Sequence, residues 1–266
     1  MIKNYLLATA IALLPLCSIA QDGDEEYELR ANEKQGWIID KKGNKIEGVV
    51  KLMGSAESPW VNQKKVKFIA NADIDPAKKR QKLKVLDVDD LKGYAAYDGD
   101  LLREFELIKY TNKREASRAG GGLGGDIKAI KNLSNTTYIA ETIVKGPITV
   151  YKLYGMPTAV AVGKKQAEEM EADLNRIRTS PSILVSKKGG KIEELNSSDM
   201  KKFTEDCEVV RKKMLNSEYP SYNPEKEEKK RSKMGALIKS ETELDGPKIQ
   251  TMAVEIFTDY NANCGS

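Results

Sequence analysis

The chain has 266 residues, of which 44 are basic, 40 are acidic and none is histidine, so its formal net charge is +4. Charges of both signs are interspersed and nearly balanced, which gives no concentrated positive field for nucleic acid. The absence of histidine excludes Ser-His-Asp and Cys-His nucleophiles as well as His-ligated zinc and haem. An enzyme of this composition would have to use carboxylates or a Ser-Lys pair.

The first twenty residues have the features of a secretory signal peptide. Lys3 provides a positive n-region, an apolar run covers residues 5–16, and Ser18-Ile19-Ala20 resembles a cleavage site. Because a membrane span needs about 20 apolar residues, we expect no transmembrane segment in the mature chain. Cys17 leaves lipidation open, although the residue before a lipidated cysteine is normally small and Leu16 is not. The protein is therefore predicted to be exported, to the periplasm or to the outer-membrane or cell surface.

Two cysteines, Cys207 and Cys264, remain after cleavage at Ala20. In an oxidising compartment an even number of cysteines indicates pairing, so we predict a Cys207–Cys264 disulfide. Oxidised cysteines offer no thiolate for catalysis or for a metal site. We therefore predict no metal and no other cofactor.

A β-rich body is predicted over residues 36–195, after a polar, unpatterned and flexible lead-in over 21–35. The body opens with a hairpin over 36–52, in which apolar residues alternate with charged ones on either side of a turn at Gly43. Glycine can adopt the positive φ that such a turn requires. The core of this hairpin, KKGxKIE, recurs at residues 187–193, and we expect the two hairpins to lie at the two ends of one sheet.

Further alternating runs predict strands at residues 64–70, 82–89, 101–110 and 136–154, separated by turn residues. Four or five strands are expected before residue 111. Pairing between sequence neighbours would produce an antiparallel meander, with a sandwich or a partly open barrel as alternatives.

Two segments interrupt the strand pattern of the body. Glycines at 119–125 are too dense for a regular element, so we predict a Gly-rich loop there. Apolar residues recur at helical spacing in the second segment and predict a helix over residues 164–178.

A helical C-terminal region is predicted over residues 196–266. One helix is expected to carry a stripe of apolar residues at steps of three and four, and a last helix is expected to follow Asp245-Gly246-Pro247 with a second stripe. The stripes are Met200, Phe203, Cys207, Val210 and Met214 in the first, and Ile249, Met252, Ala253, Ile256 and Tyr260 in the second. The fold class is therefore α+β, a mainly antiparallel β body followed by a helical tail.

Motifs of known chemistry are incomplete in this chain, so no catalytic residue is predicted. Ser198 and Lys201 match the S-x-x-K pattern of penicillin-recognising enzymes, but the further elements that those enzymes need are missing. Acidic clusters at 73–75, 87–90 and 98–100 offer oxygen ligands for calcium, or they form turns without binding a metal.

Aromatic residues of the predicted strands are candidates for a binding groove that would accept a sugar or a peptide. The alternative is that they belong to the core, because strand aromatics often do. The candidate residues are Trp37, Trp60, Tyr94, Tyr97, Tyr151 and Tyr154.

The sequence resembles secreted β-rich proteins of Gram-negative bacterial envelopes, a family without established activity. The segments that carry the resemblance are GWIIDKKGNKIEGVV, NQKKVKFIA, LKGYAAYDG, KGPITVYKLYG, FTEDCEVV and YNANC. The resemblance implies an envelope protein with a β-rich body and a Cys-bearing helical tail. We accordingly predict an exported, non-catalytic binding or structural component whose partner is an envelope protein or a glycan. The alternative is a carboxylate-dependent glycan hydrolase.

Overall fold

The computed structural model describes residues 27–30, 32–54, 56–78, 80–117, 122–134, 136–157, 164–223 and 246–265. The predicted signal peptide, with Cys17, lies outside them. A single ten-stranded sheet forms the body, and all of its pairings are antiparallel. The strands are β1 Glu33–Asp40, β2 Lys45–Leu52, β3 Lys65–Ala70, β4 Lys84–Asp87, β5 Leu91–Asp98, β6 Leu101–Lys109, β7 Thr137–Val144, β8 Ile148–Leu153, β9 Ser182–Lys187 and β10 Glu193–Glu194.

The strand order is β10-β9-β8-β7-β6-β5-β1-β2-β3-β4, which confirms the antiparallel, mainly β body. It departs from a simple meander at one place, because β5 pairs with β1 instead of β4. Six strands precede residue 111, where four or five were predicted. Strand β1 also begins at Glu33, inside the predicted lead-in, because residues 33–35 pair with residues 49–51 of β2.

The repeated KKGxKIE hairpins do not lie at the two ends of the sheet, and that prediction was wrong. The β9–β10 hairpin is at one edge, but β1 and β2 lie inside, with β3 and β4 beyond them. Their turns differ too. Gly43 has a φ of 96° in the first turn, as expected, while Lys188 and Gly189 both have positive φ in the second. The repeat therefore reflects turn composition and not a structural unit.

The alternation of side chains gives the sheet two faces. The inner face carries Ile38, Tyr94, Phe105 and Ile139, which belong to one core cluster, and continues across β8 and β9 into a second cluster under the tail helices. The outer face carries the residues between them, including Trp37, and here β6 to β9 contribute a third, smaller cluster.

The sheet is strongly curled. Four strands separate β3 from β7 in the sheet order, yet Lys64, just before β3, donates a hydrogen bond from Nζ to the carbonyl of Thr137 in β7 (2.9 Å). The side-chain amide of Gln63 likewise bonds both backbone groups of Tyr154, just after β8. The β1–β6 half therefore wraps around its own core, while helices cover the inner face of the other half.

Three helices interrupt the strands of the body: α1 Lys113–Ser117, α2 Gly122–Ser134 and α3 Lys164–Thr179. The last confirms the predicted helix. Residues 119–121 of the predicted Gly-rich loop lie outside the described residues, but residues 122–125 are helical and not a loop, because Gly122, Gly124 and Gly125 lie in the first turn of α2. Glycine is tolerated there because the backbone N–H groups of a first helical turn have no intrahelical partner whatever the residue. Residues that favour a helix follow the glycines.

The tail contains α4 Met200–Thr204, α5 Glu208–Leu215 and α6 Gly246–Cys264. Both predicted stripes are buried, but the first is carried by two helices and not by one. Cys207 separates them in an extended conformation (φ −113°, ψ 99°). The predicted Cys207–Cys264 disulfide is present and joins this break to the end of α6. No helix in the described part of the chain is long and apolar enough to cross a membrane.

Candidate binding surface

The six candidate aromatic residues do not line one groove. Trp60 is buried in a 3₁₀ turn before β3, and Tyr94 is buried on the inner face, where it stacks on Phe105 with ring centroids 4.4 Å apart and donates its hydroxyl to the carbonyl of Asn62 (2.8 Å). Tyr154 is half-buried after β8 and is held by its backbone. Packing and hydrogen bonding thus account for these three residues.

Trp37 and Tyr97 come together on the outer face. Their ring centroids are 6.0 Å apart at an interplanar angle of 70°, an edge-to-face contact. Trp37 is half-buried and lies opposite Ala95 of β5, which is buried. Tyr97 is 43 % exposed, which is high for an aromatic residue within a strand. Among the described residues of the predicted groove, this pair is the one in which an exposed ring contacts a second aromatic ring.

Charged side chains border the aromatic pair. The ammonium group of Lys45 lies 4.1 Å from the centroid of the Trp37 ring and 3.0 Å from a carboxylate oxygen of Glu47. Both are more than half exposed, so the pair is screened by water and can be displaced at little cost. We call the residues Trp37, Lys45, Glu47, Ala95 and Tyr97 the aromatic surface.

Two glutamates extend the outer face beside the aromatic surface. Glu104 lies opposite Ala95, and Glu106 lies two residues further along β6. Lys145 Nζ is 2.9 Å from Glu104 Oε1 and 3.7 Å from Glu106 Oε1, and the hydrogen bond from Lys145 to Glu104 raises the pKa of the lysine. Tyr151 donates a long hydrogen bond of 3.4 Å to Glu106. Its burial and the carboxylate of Glu106 raise the pKa of Tyr151 to about 12, so its hydroxyl stays protonated.

The aromatic surface and Glu104 are connected to Tyr151 by the cross-strand register of five neighbouring strands. The register places Trp37, Ala95, Glu104, Thr142 and Tyr151 in one row on the outer face. Four steps between strands correspond to about 19 Å. The row has the half-buried ring of Trp37 at one end, the carboxylate of Glu104 in the middle and the buried Tyr151 at the other end.

The acidic clusters proposed from the sequence act locally in their turns. Asp87 and Asp90 form a reciprocal capping arrangement around a short 3₁₀ turn, Asp75 pairs with Lys78 at 2.8 Å, and Asp98 pairs with Lys34 at 3.1 Å. Within the described ranges, no group of three or more acidic, cysteine or histidine residues is arranged to hold a metal ion. Asp75, Asp87 and Asp90 therefore act within their own turns, whereas Asp98 forms an ion pair between β5 and β1.

Glu104 and Glu106 were missed by sequence reasoning, although a signal was present. In the run LLREFELIKY both glutamates alternate with Phe105, so a strand that buries Phe105 must present both on its other face.

No protein-family model matches the chain, and no curated protein or solved structure shows significant similarity to it. The aromatic surface is therefore identified from contacts and exposure in this structure alone.

Proposed function

We propose that the protein is an exported, non-catalytic binding component of a Gram-negative cell envelope, acting in the periplasm or at the cell surface, and that its aromatic surface binds an envelope glycan. The observation that carries the proposal is the Trp37–Tyr97 pair on the outer face, in which the exposed ring of Tyr97 packs against the half-buried ring of Trp37. An exposed aromatic ring supported by a second large ring is a feature of surfaces that a partner covers.

A glycan suits this surface better than a protein. The C–H groups of sugar rings pack against the faces of aromatic rings, while sugar hydroxyls bond to neighbouring charged groups, and Lys45, Glu47 and Glu104 supply such groups beside the rings. Tyr97, Lys45 and Glu47 are the exposed residues of the aromatic surface, so they are the groups that a glycan can contact. The exposed apolar area is small, whereas a stable protein interface buries about 800 Å² on each partner.

Tyr97→Ala should weaken glycan binding by about fivefold, because one exposed aromatic contact contributes on the order of 1 kcal/mol and a tenfold change is 1.4 kcal/mol. Trp37→Ala should have at least the same effect, since it also removes the support of Tyr97. The measurement is retention of the mature protein on immobilised peptidoglycan, lipopolysaccharide polysaccharide and other envelope glycans, followed by calorimetry with the glycan that retains it.

Ile130→Ala is the matched control, because Ile130 is 64 % exposed on α2 and lies outside the aromatic surface. Its binding should equal that of the wild type. Retention by none of the glycans, or equal retention of Tyr97→Ala and wild type, would refute the proposal. Crosslinking to a specific envelope protein through the aromatic surface would replace the glycan with a protein partner.

The second candidate function is carboxylate-dependent hydrolysis of a glycan. One observation favours it: Glu104 and Glu106 lie side by side next to the aromatic surface, and a pair of carboxylates is what glycosidases use. If the protein is a hydrolase, Glu106→Gln should reduce turnover at least about a hundredfold, the usual contribution of a general acid or base. Glu208→Gln, at an exposed ion pair of the tail helix α5, should leave turnover unchanged. Our proposal expects no turnover of any glycan that binds, so the same panel separates the two functions.

A further inference from the structure

A cleft in the helical tail has features of a second binding site. Helices α4 and α5 diverge from the bend at residues 205–207 and leave an open cleft of about 480 Å³. A volume in this range is typical of sites for small molecules. The residues that line it are Lys201, Lys202, Glu205, Arg211, Met214 and Leu215.

The rim of the cleft is positively charged, with three cations and one carboxylate. Lys202 pairs with Glu193 at 2.7 Å, but both side chains are largely exposed, so this pair contributes little and yields readily to a ligand. The guanidinium of Arg211 forms no ion pair within the part of the chain that the structure describes. A planar guanidinium with unused donors is the group best suited to bind a phosphate or a carboxylate through two hydrogen bonds.

The other acidic residues around the bend are already engaged. Asp206 accepts a hydrogen bond from Lys187 at 2.7 Å, and Glu208 pairs with Lys212 at 2.7 Å on the same helix. They therefore pair with lysines outside the cleft, and Glu205 is the one acidic residue among those that line it.

The floor of the cleft is apolar and fixed. Met214 is buried, and its sulfur lies 3.4 Å from the hydroxyl of Thr204, which donates its hydrogen bond to the carbonyl of Met200 (2.9 Å). Leu215 is 63 % exposed at the edge of this floor. An exposed leucine beside a buried methionine gives a ligand both an apolar surface to cover and a rigid base to rest on.

We propose that this cleft binds an amphipathic anion, a single phosphate or carboxylate head group attached to an alkyl chain. Arg211 holds the head group, with Lys201 and Lys202 beside it, and the alkyl chain covers Met214 and Leu215. The proposal is independent of glycan binding, because the cleft belongs to the tail helices and the aromatic surface belongs to β1 and β5.

Calorimetry with three probes tests both halves of the site on the oxidised mature protein. Octyl phosphate carries the head group and the chain, inorganic phosphate carries only the head group, and octyl glucoside carries the chain without a charge. We expect octyl phosphate to bind at least tenfold more tightly than either of the others. Equal affinity for inorganic phosphate would show an anion site without an apolar part, and equal affinity for octyl glucoside would show a purely apolar site; either result overturns the proposal.

Arg211→Gln should weaken the binding of octyl phosphate by at least tenfold and reduce its dependence on salt. Lys212→Gln is the matched control, because it removes an equally exposed cation from the same helix, one that is paired with Glu208 outside the cleft. Both substitutions are on the surface, and circular dichroism checks that both variants fold. Octyl phosphate affinity that is unchanged in Arg211→Gln, or lowered equally in both variants, contradicts the assignment.

Discussion

Replacing Cys207 and Cys264 together with alanine should lower the free energy of unfolding by about 4 kcal/mol. The bridge joins residues 57 positions apart, and closing a loop of that size removes about this much free energy from the unfolded chain, an upper figure because unfolded chains retain some structure. Alanine is the appropriate replacement, since Cys207 is fully buried and serine would place an unpaired hydroxyl there. Urea unfolding of the oxidised wild type and of the double variant measures the difference.

The wild type in reductant should unfold at the same urea concentration as the double variant, and the variant itself should not respond to reductant. The native tail should remain docked in both, because other contacts hold α6. The Asn261 amide bonds both the N–H and the carbonyl of Ile148, at 2.9 and 2.8 Å, and Lys213 pairs with Asp259 at 2.9 Å. Equal stability of the reduced and oxidised wild type would contradict a stabilising bridge.

Local patterns were sufficient to predict most individual elements of this fold. Alternating residues predict β3 and the β9–β10 hairpin, because side-chain alternation in a strand is a short-range property. The cysteine count predicts the disulfide, because cysteines that remain in an even number in an oxidising compartment pair. The pairing of β1 with β5 was not predictable in this way. That pairing brings Trp37 and Tyr97 together, so the aromatic surface depends on a long-range contact that no local pattern specifies.

The break between α4 and α5 shows the same limit inside the tail. The apolar stripe keeps its spacing across the break, and no proline or glycine marks it. A contact from the sheet supplies the reason, since Lys187 of β9 donates a hydrogen bond to the carbonyl of Phe203 (2.8 Å) and another to Asp206. A lysine that satisfies a terminal carbonyl favours the end of a helix there. The cleft beside Arg211 exists only because of this bend.

Glu141 is a charged residue between the two halves of the inner face, and its substitution is the second change expected to lower the free energy of unfolding strongly. Glu141 is only 9 % exposed and lies in register with Phe105 on one side and Lys152 on the other. Arg103 and Lys152 each place a nitrogen 2.8 Å from one of its carboxylate oxygens. Burial alone would raise the pKa of Glu141, but the hydrogen bond from Arg103 and the charge of Lys152 outweigh it and hold the pKa below its ordinary value of 4.5.

Glu141→Gln should therefore cost about 2–4 kcal/mol at pH 7, because it leaves two partly buried cations without their counter-ion. The sign of the pH dependence follows from the lowered pKa. The carboxylate stabilises the fold fully above its unfolded pKa, and this stabilisation disappears as the pH falls through the lower folded pKa. The difference in free energy of unfolding between wild type and variant, measured with urea, should therefore decrease steadily as the pH falls below 4.5. Glu47→Gln, at an exposed ion pair, should lower the free energy of unfolding far less. A Glu141→Gln variant as stable as the wild type at pH 7 would show that the charges of Glu141, Arg103 and Lys152 do not stabilise the fold.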